Sequence, residues 1–544
     1  MHADLVLITM KTILSIIFLA VLSSAAIAQE KPIENLVPYE DFYDAEHKMK
    51  FSQGNFLYGK KHGEWTYFYK NGKKQEQSNF NNGLLSGKVT YWFDNGQKTS
   101  EGFFKLFFQD GRLFSFRDST YKEWYANGNL SSTGDYTYDV QDGLWKFWYP
   151  EGDLWKEIDF NEGLQKPINA WNQELKQTLR NGDGFLYNYH SEGPLESKIT
   201  INDSIANGKA EYYNSAGNLS SLGNLTNWQK EGLWKFYYEE GMPWKEVSFK
   251  QGELNGPYIN WYKDGTKSVE GQYKEGLKIG KWFWYNGNGT KYMEGEFLDG
   301  MQHGDWAYYY DEGSLESKGR FEKDKREGEW QMFYKNGKKW KIGHYKNDLK
   351  DGHWVYYFET GKLLQEGDFE NGKEQGQWQS WYSNGQLKDE GRFKNGVMDG
   401  LWTGWYQNGQ LNYKGIRTEG KREGDWEFGY LNGKSREIGS YKNGLQNGHW
   451  EYYFESGNID YECDYEEGSK NGKCTYYFEH GAKMRQETYK MDLLDGKSLM
   501  WGPKQNLIGE RNYKDGMPHG KVLNYDDKGE VLNQMTYKNG ILVK

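Results

Sequence analysis

Gly280–Gly304 reads GKWFWYNGNGTKYMEGEFLDGMQHG and holds one complete copy of the unit from which the chain is built. With Gly280 at offset 0, Trp282 stands at 2, Trp284 and Tyr285 at 4 and 5, and Gly289 at 9. Gly295 follows at 15, Phe297 at 17 and Gly300 at 20, before Gly304 opens the next copy at 24. Gly232, Gly256, Gly280, Gly304, Gly328, Gly352, Gly376, Gly400, Gly424, Gly448, Gly472, Gly496 and Gly520 repeat that interval. Further copies open at Gly63, Gly87, Ser119, Gly143, Pro167, Gly184 and Gly208. A short fixed period of this kind marks a repeat architecture, here of about twenty units. The period is irregular at 104–118, where residues are added, and at 164–183, where the unit is short.

Each unit contains two runs of five to eight residues rich in Trp, Tyr and Phe, bounded by turn dipeptides, which is a hairpin pattern. Asn-Gly recurs at offsets 8 and 9, as in Asn336-Gly337, Asn384-Gly385 and Asn408-Gly409. Such pairs reach positive φ at small steric cost, as tight hairpin turns require. A second turn falls near offsets 19 to 23, as in Asn395-Gly396 and Asn443-Gly444. No window sustains a 3.6-residue apolar period, and glycine recurs too often for helices. The expected fold is all-β: an elongated single-layer antiparallel meander of 24-residue β-hairpins over 39–544.

Comparing the copies gives a register. Eleven units carry Trp at offset 2, and each such Trp lies 11 residues after a Gly at offset 15 of the preceding unit, as with Gly391 and Trp402. Where offset 2 is not Trp, that Gly is also missing: Val247 precedes Tyr258 and Ile199 precedes Ala210. This covariation predicts an indole lying on the bare backbone of the glycine across the second turn. Period-2 alternation then assigns offsets 2, 4, 6, 11 and 17 to one aromatic face, leaving Lys, Glu, Asp and Gln on the other.

The composition fits a thin sheet. Aromatics make up 18% of the chain although mean hydropathy is −0.99, so the aliphatic bulk for a thick two-layer core is lacking. The net charge of −10 is spread through every unit with both signs interleaved. No basic cluster points to nucleic acid, and peripheral membrane association is open but not indicated. Lys11, the apolar run Ile13–Leu22 and Ala26-Ile27-Ala28 fit a secretory leader over 1–28, cleaved before Gln29, with Met1 or Met10 as the start. Residues 29–38 read as a lead-in. The chain is expected to be exported, to the periplasm, the outer surface or the medium.

Cys463 and Cys474 occupy an offset-15 Gly position and the next offset-2 Trp position, so one Gly–Trp pair is replaced jointly by two cysteines. In an exported protein that reads as a cross-strand disulfide, against the alternative of two free thiols. The ten histidines are scattered in turns and on strands without ligand spacing, so no metal and no cofactor is expected. Paired acids such as Glu239-Glu240 fall at turns. Gly-Lys-Ser at 433–435 and 496–498 lacks the earlier glycine of a phosphate loop. No catalytic constellation is evident, and the chain is expected not to be an enzyme. What remains is the aromatic face, with Trp282, Trp306, Trp330, Trp354, Trp378, Trp402, Trp426 and Trp450 as the candidate binding residues. Those indoles either only pack the sheet or also form a groove for a polypeptide, sugar rings or a cationic head group.

The string Glu390-Gly391-Arg392-Phe393-Lys394-Asn395-Gly396, followed by Gly400-Leu401-Trp402, resembles the MORN repeat in its bacterial variant form. The resemblance covers roughly 39 to 544. It implies β-hairpins in long single-layer sheets that act as scaffolds and as protein or lipid attachment modules. Some bacterial proteins with such repeats form a family named after the YwqK antitoxin, which implies a toxin-neutralising alternative. Choline- and glucan-binding repeats are also similar, being aromatic Gly-rich hairpins on exported proteins, and imply a glycan- or choline-binding alternative. The leading expectation is a non-enzymatic exported scaffold binding a partner protein or cell-envelope component along the aromatic face. A hydrolase built from segments 104–118 and 164–183 is the enzymatic rival.

Overall fold

The computed structural model describes residues 36–191 and 193–543. The leader expected over 1–28, and residues 29–35 of the lead-in, lie outside the described residues. The first strand is Val37–Phe42. Every regular element among the described residues is a β-strand, and within each unit the pairing is antiparallel between strands next to each other in the meander, with Lys98–Gln109 pairing both Arg112–Arg117 and Ser119–Trp124. Chain contacts group the residues into two units, one ending at Gly208 and the other beginning at Lys209. Each is a single-layer meander of hairpins, so the expected fold class is the observed one.

In the second unit, the repeat at Gly376 shows how sequence sets the hairpin. The strand Lys373–Trp381 leads into a first turn in which Gly385 N donates to Tyr382 O at 2.8 Å and Tyr382 N donates to Gln386 O at 2.9 Å. Gly385 has φ +94°, whereas Asn384 is not left-handed. The turn is therefore a three-residue loop closed by a left-handed glycine rather than a two-residue turn with both residues at positive φ. The asparagine is used for its amide. Its Oδ1 accepts Gln386 N at 3.0 Å, and its Nδ2 donates to Gln407 O, one unit on, at 2.9 Å. The second turn, after the strand Leu387–Lys394, is the tight one: Asn395 (φ +53°) and Gly396 (φ +83°) are both left-handed.

Both turns shift the ladder. Across the first, Ser380 faces Asp389 but Trp381 faces Leu387, so one residue is skipped. Across the second, Phe393 faces Met398 while Glu390 faces Thr403, and the residues between include Gly400 at φ +98°. An extra residue on one strand is a β-bulge and increases local twist. The left-handed conformation at offset 0 explains why the unit opens on glycine. In the first unit Ser119 holds that position with φ +77°.

The two irregular segments, both in the first unit, continue the sheet. Residues 104–118 lengthen the strand Lys98–Gln109 and add Arg112–Arg117, joined by a turn at Asp110 and Gly111. Residues 164–183 form Leu164–Trp171 and the short strand Gln177–Arg180, which pairs with Asp183–Tyr189. The added and missing residues are thus absorbed as hairpin length.

Candidate binding face

The indoles lie where the covariation places them. Trp378 faces Gly367 on one side and Gly391 on the other, yet its ring covers only Gly367, across the second turn. A Cβ built on any of the eleven offset-15 glycines that precede a Trp, from Gly54 to Gly439, would overlap that indole. In ten of the eleven the indole N–H also donates to the carbonyl beside that glycine, at 2.9–3.2 Å, as Trp354 does to His344 O at 3.1 Å. In one unit Arg392 O accepts both Asp399 N and Trp402 Nε1. Each of the eleven indoles therefore spends its face on a bare backbone, and all but Trp282 spend their one donor on the carbonyl at the bulge.

The eight candidate tryptophans are all buried: Trp354 and Trp450 at 0% exposure, Trp378 highest at 8%. Their covering comes from neighbours rather than from a second layer. Phe321 meets Trp306 and Trp330 edge-on, with ring centres 5.6 and 5.3 Å apart. The principal cluster combines offset-2 indoles and offset-17 rings with half-buried residues at offsets 4 and 13, such as Trp284, Tyr308 and Met293. As ligand-contacting rings the indoles offer almost no surface, because they fill the gap left by the glycines.

Offsets 6 and 11, assigned to this face by alternation, are not in the packed clusters. The residue skipped at the first turn pairs the offset-11 Leu315 with the offset-5 Tyr309. The offset-6 tyrosines instead donate to the offset-5 carbonyl of the next unit, as Tyr310 does to Phe333 O at 2.8 Å and Tyr430 to Tyr453 O at 2.7 Å. What sequence reasoning missed is offset 22. Lys278, Lys350 and Arg422 lie over the indoles, and Lys350 Nζ is 4.6 Å from the Trp354 ring centre while donating to Tyr356 Oη at 2.6 Å. Burial pushes the Lys278 and Lys350 ammonium groups down from the ordinary lysine range. The fixed interval before the unit glycine was the available signal, obscured because Gln302, Glu374 and Met398 share the position.

The opposite face is polar and carries a row of glutamates at offset 14. Burial alone would raise Glu294, but hydrogen bonds from Lys291 (2.7 Å) and Tyr309 outweigh it, and the carboxyl is held below its ordinary range. His353 Nδ1 lies 2.8 Å from Asp368 Oδ1 with Glu366 beyond its other nitrogen, and His449 repeats the arrangement with Asp464 and Glu462. A hollow of about 500 Å³ on this face is lined by charges of both signs, among them Lys281, Asp305 and Arg320. Among the described residues no group of three His, Cys, Asp or Glu side chains could hold a metal ion. Cys463 and Cys474 face each other with Cα atoms 4.1 Å apart and their sulfurs bonded, both fully buried.

The MORN repeat variant profile matches residues 61–82, 117–138, 141–162, 230–251, 302–323, 326–347, 350–371, 374–395, 398–416, 446–467 and 518–539. No curated protein matches the chain. Among solved structures, the TcdB2-TccC3-Cdc42 and TcdB2-TccC3 complexes match at 11% identity over 93% of this chain, with TM-scores of 0.13 and 0.14. A Photorhabdus luminescens Tc holotoxin pore does so at 11% identity and a TM-score of 0.14. This chain spans 30% to 31% of the length of those chains. The matched stretches coincide with the hairpins, turns and Gly–Trp contacts described above, and the chain is a MORN-repeat protein, a scaffold built from the variant form of that repeat.

Proposed function

We propose that this scaffold is non-catalytic and exported, and that it binds a partner protein or cell-envelope component along its aromatic face. The observation that carries the reading is the repetition of one surface at 24-residue steps: a half-buried ring at offset 4 beside a long side chain at offset 22, set on immobilised indoles. A periodic surface on rigid strands suits an extended partner, because each unit adds the same small contact. The contact falls to the offset-4 rings and the offset-22 cations, since the indoles are covered.

The test is capture from native envelope extract by the full chain, beside a chain carrying Lys278→Glu and Lys350→Glu. Wild-type capture of a component that the double variant loses supports the reading. Equal capture by both chains, or none by either, overturns it. Export is tested separately: the mature protein isolated from its source is expected to begin at Gln29 by intact mass.

A further inference from the structure

Among the described residues, five offset-22 cations lie over an offset-2 indole, and Arg117, Arg326 and Lys470 at the same offset lie over offset-17 rings. Lys61, Lys230, Lys278, Lys350 and Arg422, each at offset 22, lie 4.8, 4.8, 4.7, 4.6 and 4.9 Å from the ring centres of Trp65, Trp234, Trp282, Trp354 and Trp426. Each also reaches the offset-17 ring of the unit that follows it, at 5.3, 5.2, 5.0, 4.5 and 5.1 Å. The fold therefore defines a recurrent cation position between an indole and a second ring.

At Gly376 the same position has the opposite character. Offset 22 is Glu374, and offset 4, a ring in the units that open at Gly304 and Gly352, is Ser380. Trp378 and Phe393 remain, with ring centres 5.7 Å apart at 75°, and Phe393 meets Trp402 at 5.2 Å and 89°. The missing ring leaves a hollow of about 530 Å³ lined by Trp378, Phe393, Trp402, Glu374, Ser380 and Asp389. Trp378 is correspondingly the most exposed of the eight indoles. Asp389 faces Ser380 in the ladder; among the described residues neither Asp389 nor Glu374 makes a direct ion pair, and Glu374 acts on Lys350 only at longer range. Ser380 Oγ is buried without a hydrogen-bond partner among them. Exposed Lys388 borders the hollow but makes no cation–π contact with these rings among the described residues.

We propose that this hollow binds an organic ammonium group, supplied from outside the chain in place of the lysine that other units carry. The rings present negative faces to the cation and bury its carbon substituents, and two carboxylates neutralise its charge. A neutral ligand of the same shape would leave both carboxylates unpaired, so charge is the discriminating property. The site stands independently of the partner reading above, because its ligand is a small soluble cation and needs no extract.

The experiment is ligand-observed NMR titration of the full chain with two probes, tetramethylammonium chloride and Nα-acetyl-lysine methylamide, at constant ionic strength. The neutral isostere 3,3-dimethylbutanol is the control. Saturable binding of at least one ammonium probe, weaker for the isostere by about tenfold, is expected. The tighter of the two probes identifies the source as a free quaternary ammonium compound or a lysine side chain. Glu374→Lys rebuilds the self-supplied cation of the other units, so it is expected to fold normally and to lose binding by more than about tenfold. The isosteric pair Glu374→Gln with Asp389→Asn is expected to weaken binding several-fold and serves if Glu374→Lys fails to fold. Absence of saturation with both probes, equal binding of the neutral isostere, or binding unchanged in the variants would overturn the proposal.

Discussion

At the scale of single residues, the indole and the glycine beneath it form one unit of structure. The ring fits only because Gly391 has no Cβ, so Gly391→Val is expected to displace Trp402 and cost about 1–3 kcal/mol. Chemical denaturation followed by tryptophan fluorescence measures this, and a variant as stable as the parent would show that the contact carries no strain. Removing the ring is costlier: Trp354→Ala empties a fully buried site and abandons a hydrogen bond, at about 3–5 kcal/mol. Ser119 is the converse case. Its φ of +77° is strained for a residue with a side chain, so Ser119→Gly is expected to stabilise the first unit by up to about 1 kcal/mol. A lower midpoint in thermal unfolding would contradict that.

At the scale of the hairpin, the asparagine of the first turn couples neighbouring units. Asn384 caps its own turn through Oδ1 and ties the next turn through Nδ2. Asn384→Asp keeps the acceptor and turns the donor into an oxygen facing Gln407 O. It is expected to destabilise by about 1–2 kcal/mol and to speed amide exchange in the following turn. An effect confined to its own turn would mean that the cross-turn bond contributes nothing. The units opening at Gly496 and Gly520 have Ser498 and Val522 in place of the indole. They are expected to exchange their strand amides faster than the units from Gly304 to Gly376, whose rings form one continuous cluster.

At the scale of the whole chain, the dominant titratable population is half-buried tyrosine. Burial pushes Tyr91, Tyr309, Tyr413, Tyr452, Tyr453 and Tyr477 up to about 12, and like charges nearby add to several of them. In the unfolded chain these phenols lose their protons near 10. The folded state therefore holds more protons between pH 10 and about 12, and stability present below pH 10 is lost as pH rises through that window. Lys156 acts oppositely. Burial lowers it to about 8, so its unfavourable contribution, present below that value, is relieved between about 8 and the unfolded lysine value near 10.4. Thermal unfolding followed by circular dichroism is expected to show steep alkaline loss above pH 10. A midpoint unchanged from pH 10 to 12 would show that the tyrosines stay solvated.

The linear sequence was sufficient for whatever repeats at fixed spacing. The period of glycines, the two turns per unit and the joint loss of Gly and Trp at offsets 15 and 2 determined the hairpin, its register and the contact between Gly391 and Trp402. The paired position of Cys463 and Cys474 was legible for the same reason. Alternation failed at the first turn, where one skipped residue takes Leu315 off the packed face and Tyr310 sits in the loop. At the second turn two residues are skipped, parity is kept, and Lys350 and Lys278 stay on the face of the indoles, although the reading by offsets passes them over. The burial of the indoles was also beyond the sequence. Whether a tryptophan on a single sheet is a ligand surface or a core depends on how closely rings from adjacent strands cover it, and only the assembled ladder sets that distance. The hollow at Trp378 is a property of the same kind: Ser380 and Glu374 are ordinary residues until the neighbouring units show the ring and the cation whose places they hold.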